Sequence, residues 1–168
     1  DGMIAVSHSI KKAIVASTAD DETIGSKIIV EPNGVDIQIF RQLDKYDIRK
    51  QLGIPLDDIV ILFVGSLIQR KGARRLAAAV DGLEHTHVYF IGNSGDDVPE
   101  EKANIHLCGS MSPHNVAAYL NAADFFVLPT LAEGCCNAIV EAMACGLPII
   151  SSNRDFNEGI LDDQCAIL

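Results

Sequence analysis

Two short segments of this chain gather the residue types that handle anions and sugars. The first is Gly65-Ser66-Leu67-Ile68-Gln69-Arg70-Lys71-Gly72, directly after an apolar run ending at Val64. Arg70, Lys71, Arg74 and Arg75 put four cations within six residues of a chain whose formal net charge is −10. Periodicity from Gly72 to Gly82 predicts a helix, so the cations sit where the backbone dipole already supplies roughly half a positive charge. Cations there are unfavourable unless an anion joins them, and a glycine turn feeding a helix N-terminus suits phosphate. Taken alone, the segment is explained equally well as a solvated basic helix start. Lys71 precedes the second glycine, so the GxxxxGK[ST] pattern fails and P-loop NTPase chemistry is disfavoured.

The second segment is Glu133-Gly134-Cys135-Cys136-Asn137-Ala138-Ile139-Val140-Glu141. Glu133 follows a strand and a turn, and Glu141 should lie about one turn into a helix. The backbone N–H groups of Gly134 through Ala138 are then free donors at a helix start, suited to a phosphate or sugar oxygen. A carboxylate accepts two hydrogen bonds, which fits Glu141 to a vicinal diol such as a ribose and Glu133 to sugar hydroxyls. The competing explanation is that both acids complement the helix dipole, and for Glu133 alone that is the simpler one. Two acids on one loop–helix junction are poorly placed to face each other across a scissile bond, which argues against a glycosidase.

These segments need elements to hold them. Ile28–Val30, Ile59–Val64, His87–Ile91, Asp124–Leu128 and Pro148–Ser151 are near-continuous apolar runs, the mark of parallel strands covered on both faces. Ala/Leu/Val periodicity marks the helix from Gly72 to Gly82. Ser112-Pro113 supplies a cap and a first-turn proline for a helix reaching about Ala122. Asn137 to Ala144 reads as a helix closed by Gly146-Leu147-Pro148. Alternating strands and helices predict an α/β fold, a Rossmann-like doubly wound parallel sheet with helices on both faces and ligands at the carboxyl ends of the strands. Residues 1–31 fit this scheme less well: Met3–Ser7 reads as a strand and His8–Ala16 as an amphipathic helix, before a turn at Pro32-Asn33-Gly34-Val35-Asp36. No internal repeat or low-complexity tract is evident.

Composition narrows the function classes. The 168 residues, 48% hydrophobic and 21% charged, suit one compact domain with a substantial core. The acidic balance argues against nucleic acid as a partner. Five cysteines without any CxxC argue against a zinc ribbon or a disulfide framework and fit a reducing, cytoplasmic location. Cys108 and Cys145 are expected to be buried and inert. No apolar run approaches the roughly 20 residues a membrane-spanning helix needs. His8 reads as a cap-region residue and His106 as a strand residue. His85 and His87 are expected on opposite faces of their strand, which would preclude a shared metal.

The quoted residues resemble a known family. EGCCNAIVEAMACGLP, from Glu133 to Pro148, is similar to the E-x7-E segment and its EAMACG-P continuation in the retaining glycosyltransferases of family 4, which have the GT-B fold. Pro32-Asn33-Gly34-Val35-Asp36 with Phe40 resembles the family's PNGVD…F. Phe63-Val64-Gly65 through Arg70-Lys71-Gly72 resembles its VGxL…KG loop, and Ala123-Asp124 through Pro129-Thr130 its ADxxVxP-S/T strand. The matches occur in the family's order and cover nearly the whole chain.

The resemblance implies a donor-binding domain that takes a nucleotide diphosphate sugar, UDP- or GDP-linked, for transfer to an acceptor with retention of configuration. It implies Arg70 and Lys71 on the departing diphosphate, with Gly65 and Ser66 beside them, and Glu141 on the ribose. Glu133 and the stretch Gly134, Cys135, Cys136, Asn137 and Ala138 would hold the donor sugar. The loop after Ile91, including Asn93, and the stretch ending in Cys108 and Gly109 would lie against the base. No metal and no cofactor are implied. Two departures stand out: many members have Gly-Arg where this chain has Gly65-Ser66, so one phosphate contact is expected to be missing, and Cys135-Cys136 replaces the Phe-Gly or Phe-Pro that follows Glu-Gly, altering the donor-sugar pocket. The family takes its acceptor site from an N-terminal domain, of which residues 1–25 are the expected remnant, with residues 26–168 as the nucleotide-sugar-binding domain, truncated at its C-terminal end. The fragment alone is then expected to be inactive, and peripheral membrane association of the intact protein is compatible with the family but not encoded here. Two rival readings are a GT-B-shaped sugar-nucleotide epimerase, opposed by the Arg70-Lys71 and Glu133…Glu141 combination, and a non-catalytic nucleotide-binding module, weakened by the absence of GxGxxG after any strand.

Overall fold

The computed structural model describes residues 2–18, 22–157, 160–162 and 165–168; the expected N-terminal remnant, residues 1–25, therefore lies partly outside the described residues, at 1 and 19–21. Six strands form one wholly parallel sheet: β3 (Ile59–Val64), β4 (Thr86–Ile91), β5 (Ile105–Gly109), β6 (Phe125–Leu128), β7 (Ile149–Ser151) and β8 (Ala166–Ile167), in the order β5-β4-β3-β6-β7-β8. Two further strands, β1 (Met3–Ala5) and β2 (Ile28–Val30), pair with each other in a separate parallel ribbon. Ile28–Val30 thus belongs with the N-terminal strand and not with the main sheet, and residue 25 falls between the two partners.

Helices cover the sheet as the sequence pattern requires. Helix α4 (Ala73–Val80) buries Ala73, Leu76, Ala77 and Val80, the i, i+3, i+4, i+7 set of one helical face. Helix α5 (Pro113–Ala122) starts with the Ser112 side chain accepting from the Asn115 N–H, and helix α6 spans Asn137–Ala144. The remaining helices are α1 (His8–Ser17), α2 (Glu22–Gly25) and α3 (Lys45–Leu52). Phe63, Phe90, Phe126, Leu62, Leu120, Leu128 and Ile139 are fully buried, so the core lies around the central strands β3, β4 and β6.

At the amino ends of these strands a polar knot ties α3 to the sheet. Arg49 is 2% exposed. Its guanidinium donates to the carbonyls of Ala122, Pro55, Leu56 and Asp58 and, at 2.6 Å, to the Asp124 carboxylate. Asp124 also accepts from the Lys45 ammonium and the Val60 N–H, both at 2.8 Å. Burial raises the Asp124 carboxyl, but these donors outweigh it and hold the group below its ordinary value.

The strand order decides where a ligand can sit. From β3 the chain winds one way through β4 to β5, then returns to β6 on the other side of β3 and continues outward through β7 to β8. The loops after β3 and β6 therefore diverge from the sheet's topological switch point, the place where open parallel α/β sheets bind their ligands.

Candidate functional site

Both chemically loaded segments leave from this switch point. The first follows β3 and the second follows β6, and the two strands are hydrogen-bonded neighbours with Leu62 opposite Phe126.

The first loop is fixed from two sides. Gly65 has φ +155°, and the Lys71 side chain passes over it, with its Nζ 3.7 Å from where a Cβ would stand. Gly72, at φ +80°, caps α4; a Cβ there would meet the Pro129 carbonyl at 2.9 Å. On the other side, the loop after β4 clamps the first loop: Leu67 N–H donates to Asn93 O, Asp97 N–H to Leu67 O, and Gln69 N–H to the Asp96 carboxylate.

Of the four clustered cations, two face the second segment. Lys71 Nζ lies 2.7 Å and Arg70 Nη1 3.4 Å from Glu133 Oε1. Arg70 also donates to the Ala132 carbonyl. Arg74 and Arg75 turn away, donating to the carbonyls of Val98 and of Gln69 and Pro129 respectively. Thr130, fully buried, donates its hydroxyl to the same Glu133 oxygen at 2.7 Å. In the sequence Thr130 is visible only as the end of a strand motif, two residues past the end of β6.

Helix α6 begins after Cys136, which occupies the cap position without a side-chain cap bond. The Cys136 thiol is buried and pushed up by that burial, against the pull of Lys71 and the N–H groups of Ile139 and Ala138. Cys135 is half-buried, and Gly134 packs against Val6 and Ile10 of the N-terminal segment. Asn137 accepts from Asn33 at 2.7 Å, which ties the Pro32–Asp36 turn to the start of α6. Glu141 stands at the fifth position of α6, half-buried, and burial raises its carboxyl.

The remaining expected residues lie along the adjoining strand ends. Ser66 and Asn93 are exposed, and Asn93 accepts from the Ser110 hydroxyl at 2.5 Å. Gly109, at φ +66°, accepts through its carbonyl from Gly92 N–H. The Cys108 side chain packs beside Tyr119 of α5, and its thiol is raised by burial. Cys145 is buried, its thiol pushed up to about 11 by burial.

The histidines differ from expectation. His85 lies just before β4, in a left-handed turn at φ +53°, and His85 Nδ1 and His87 Nε2 both reach the Asp58 carboxylate at 3.0 Å. His87 Nδ1 further bonds His106 Nε2 at 3.0 Å. Among the described residues no group of three or more His, Cys, Asp or Glu side chains is arranged to hold a metal ion. Nor is any helix among them long and apolar enough to cross a membrane.

A cation pair meeting the Glu133 carboxylate at the switch point of a parallel sheet, with Glu141 on the helix that follows, forms a site for an anionic, hydroxyl-rich ligand. Over residues 58–168, which carry both segments, the chain matches the family described as glycosyl transferases group 1. It belongs to that family. This group 1 glycosyl transferase chain is 32% identical over 155 residues to a Bacillus subtilis (strain 168) protein named as a teichuronic acid biosynthesis glycosyltransferase, covering 90% of this chain and 38% of that one. It is 31% identical over 153 residues to the UDP-Gal:alpha-D-GlcNAc-diphosphoundecaprenol alpha-1,3-galactosyltransferase of Escherichia coli, over 82% of this chain and 40% of that one. The solved structure of Anabaena HepE in complex with UDP and glucose matches with a TM-score of 0.79 at 18% identity, over 98% of this chain and 48% of that one. At that identity the likeness is one of fold, the Rossmann-like half of a GT-B glycosyltransferase. The chain spans 38–40% of the length of these two relatives.

Proposed function

We propose that this chain is the C-terminal, donor-binding domain of a retaining family 4 glycosyltransferase and holds a nucleotide diphosphate sugar. The observation that carries the reading is the convergence of Lys71 and Arg70 with Glu133 at the switch point, in the loop that leads into the helix bearing Glu141. Arg70 and Lys71 hold the diphosphate and stabilise the charge that develops as it leaves. The α6 amides from Gly134 to Ala138 and the Glu133 carboxylate take the donor sugar, and Glu141 takes the ribose diol. The base lies against the backbone of the loops at Asn93 and Gly109. UDP is favoured over GDP, because one relative is named for UDP-Gal and HepE was solved with UDP. The acceptor and further catalytic groups come from an N-terminal domain, so the chain alone binds the donor without transferring a hexose. No metal or cofactor enters this reading, and the intact enzyme works in the cytoplasm.

Calorimetric titration of the chain with UDP, GDP, ADP and NAD, beside Lys71→Ala, tests this. Binding of one nucleoside diphosphate that disappears in Lys71→Ala is the expected result. Binding of NAD in preference, or a nucleotide affinity indifferent to Lys71, would overturn it.

A further inference from the structure

The two cations assigned to the diphosphate already have a partner. Lys71 and Arg70 both converge on Glu133 Oε1, at 2.7 Å and 3.4 Å, and the buried Thr130 hydroxyl donates to the same oxygen at 2.7 Å. The contact is sheltered: the Lys71 side chain is 14% and the Glu133 side chain 10% exposed. Thr130 has no exposed surface, and its N–H is bonded to the Leu128 carbonyl at 2.9 Å. The carboxylate is therefore held from beneath by a fixed donor and stands over the cations as an internal anion.

A diphosphate and this carboxylate cannot share the two cations without close like-charge contact in a sheltered place, where charges are poorly screened. A diphosphate that engages Lys71 must push Glu133 away. A displaced, half-sheltered carboxylate that has lost its charged partner carries a large penalty unless new donors reach it. Sugar hydroxyls are such donors, and a bare nucleoside diphosphate has none at that position.

We propose that Glu133, positioned by Thr130, makes the site selective for sugar-loaded nucleotides over bare diphosphates: it occupies Lys71 and Arg70 and yields them only to a ligand whose hydroxyls take the carboxylate in exchange. This selectivity rests on the donor-site reading above. Its consequence is weakened retention of the nucleoside diphosphate once the sugar has gone.

The test titrates the chain, Glu133→Gln, Thr130→Val, Thr130→Ser and Lys71→Ala with UDP, UDP-glucose, GDP, GDP-mannose and inorganic pyrophosphate, after circular dichroism has verified folding. Glu133→Gln should tighten bare nucleoside diphosphate and pyrophosphate by about tenfold, the order of one hydrogen bond to a charged group. The sugar nucleotide should be unchanged or weaker, so the preference for it collapses. Thr130→Val should shift the preference the same way, and Thr130→Ser should restore it. If Glu133→Gln proves unfolded, Glu133→Asp retracts the carboxylate and should act in the same direction. Equal effects on bare and sugar-bearing ligands, with Lys71→Ala still losing both, would overturn the selectivity and leave the donor site standing. Absence of binding in every variant, or binding indifferent to Lys71, would overturn both.

Discussion

Gly92 is where the loops above β3 and β4 touch, and replacing it with alanine should dislodge the cation-bearing loop. Its φ is +151°, and a Cβ there would lie 2.0 Å from the Gly65 carbonyl oxygen and 2.6 Å from its carbon. Ordinary contact begins at 3.4 Å, so the two backbones must part by about 1.4 Å. That separation strains the bonds from Gly65 N–H to Ile91 O and from Leu67 N–H to Asn93 O, each 2.9 Å. Overpacking costs about 1–3 kcal/mol, the positive φ about 1 kcal/mol, and a weakened ladder bond about 1 kcal/mol. Together they amount to about 3–5 kcal/mol. Gly82→Ala is the matched control: its φ is +77°, but open space surrounds its Cβ, so only the backbone strain applies. Urea unfolding of both variants, followed by far-UV circular dichroism, separates the terms, and nucleotide titration should show affinity lost only in Gly92→Ala. A Gly92→Ala stability within about 0.5 kcal/mol of Gly82→Ala, below the overpacking range, would refute the claim that β4 positions the site loop.

Further outcomes follow from other groups. Glu141→Ala should weaken nucleoside diphosphate binding by about 1.5–3 kcal/mol if its carboxylate holds the ribose, and unchanged calorimetric affinity in a folded variant would remove that role. Asp124→Asn should destabilise the chain in urea by about 2–3 kcal/mol, less than a fully broken buried pair, because four carbonyls still receive Arg49. Since the folded Asp124 carboxyl sits below its ordinary value, its contribution is complete above about pH 4 and lost as pH falls through the lower folded value. The Asn variant should accordingly show a shallower acid loss. His106 is depressed by burial and by His87, so the folded chain takes up its proton later than the unfolded one. Stability should fall as pH drops from about 6.5 through the folded value, and His106→Gln should flatten that part of a pH series of urea midpoints.

The strands β3, β4, β6 and β7 were legible because both of their faces are buried, which writes an unbroken apolar run. Helix α6 was legible to the residue from its periodicity and its glycine-proline stop. Helix α3 was not, since its one fully buried residue is Arg49, which apolar periodicity cannot register; the Asp44 and Gly53 caps and the short Ile48–Leu52 pair were weak signals. Strand β5 carries His106 and Cys108 at an edge of the sheet; only His106 reads as a strand residue, because the polar side chains break the apolar run. Arg70, Lys71, Glu133 and Glu141 stood out by type and spacing. Thr130, the Glu133–Lys71 contact and the Asn33–Asn137 tie did not, because each depends on which distant segments the fold brings together. The histidine pair failed for a different reason: His85 sits in a left-handed turn before β4, which brings it to the same carboxylate as His87.

The pairing of β3 with β6 has a kinetic side. Leu62 and Phe126 meet across 64 residues of sequence, whereas β3 and β4 meet across 27, Leu62 opposite Tyr89. Closing the longer loop costs more chain entropy and contributes more to contact order, so it belongs to the later part of folding. During synthesis the cationic loop emerges well before the acidic one. A chain that has assembled only β3, β4 and β5 thus presents Arg70 and Lys71 without the carboxylate that pairs them in the completed sheet.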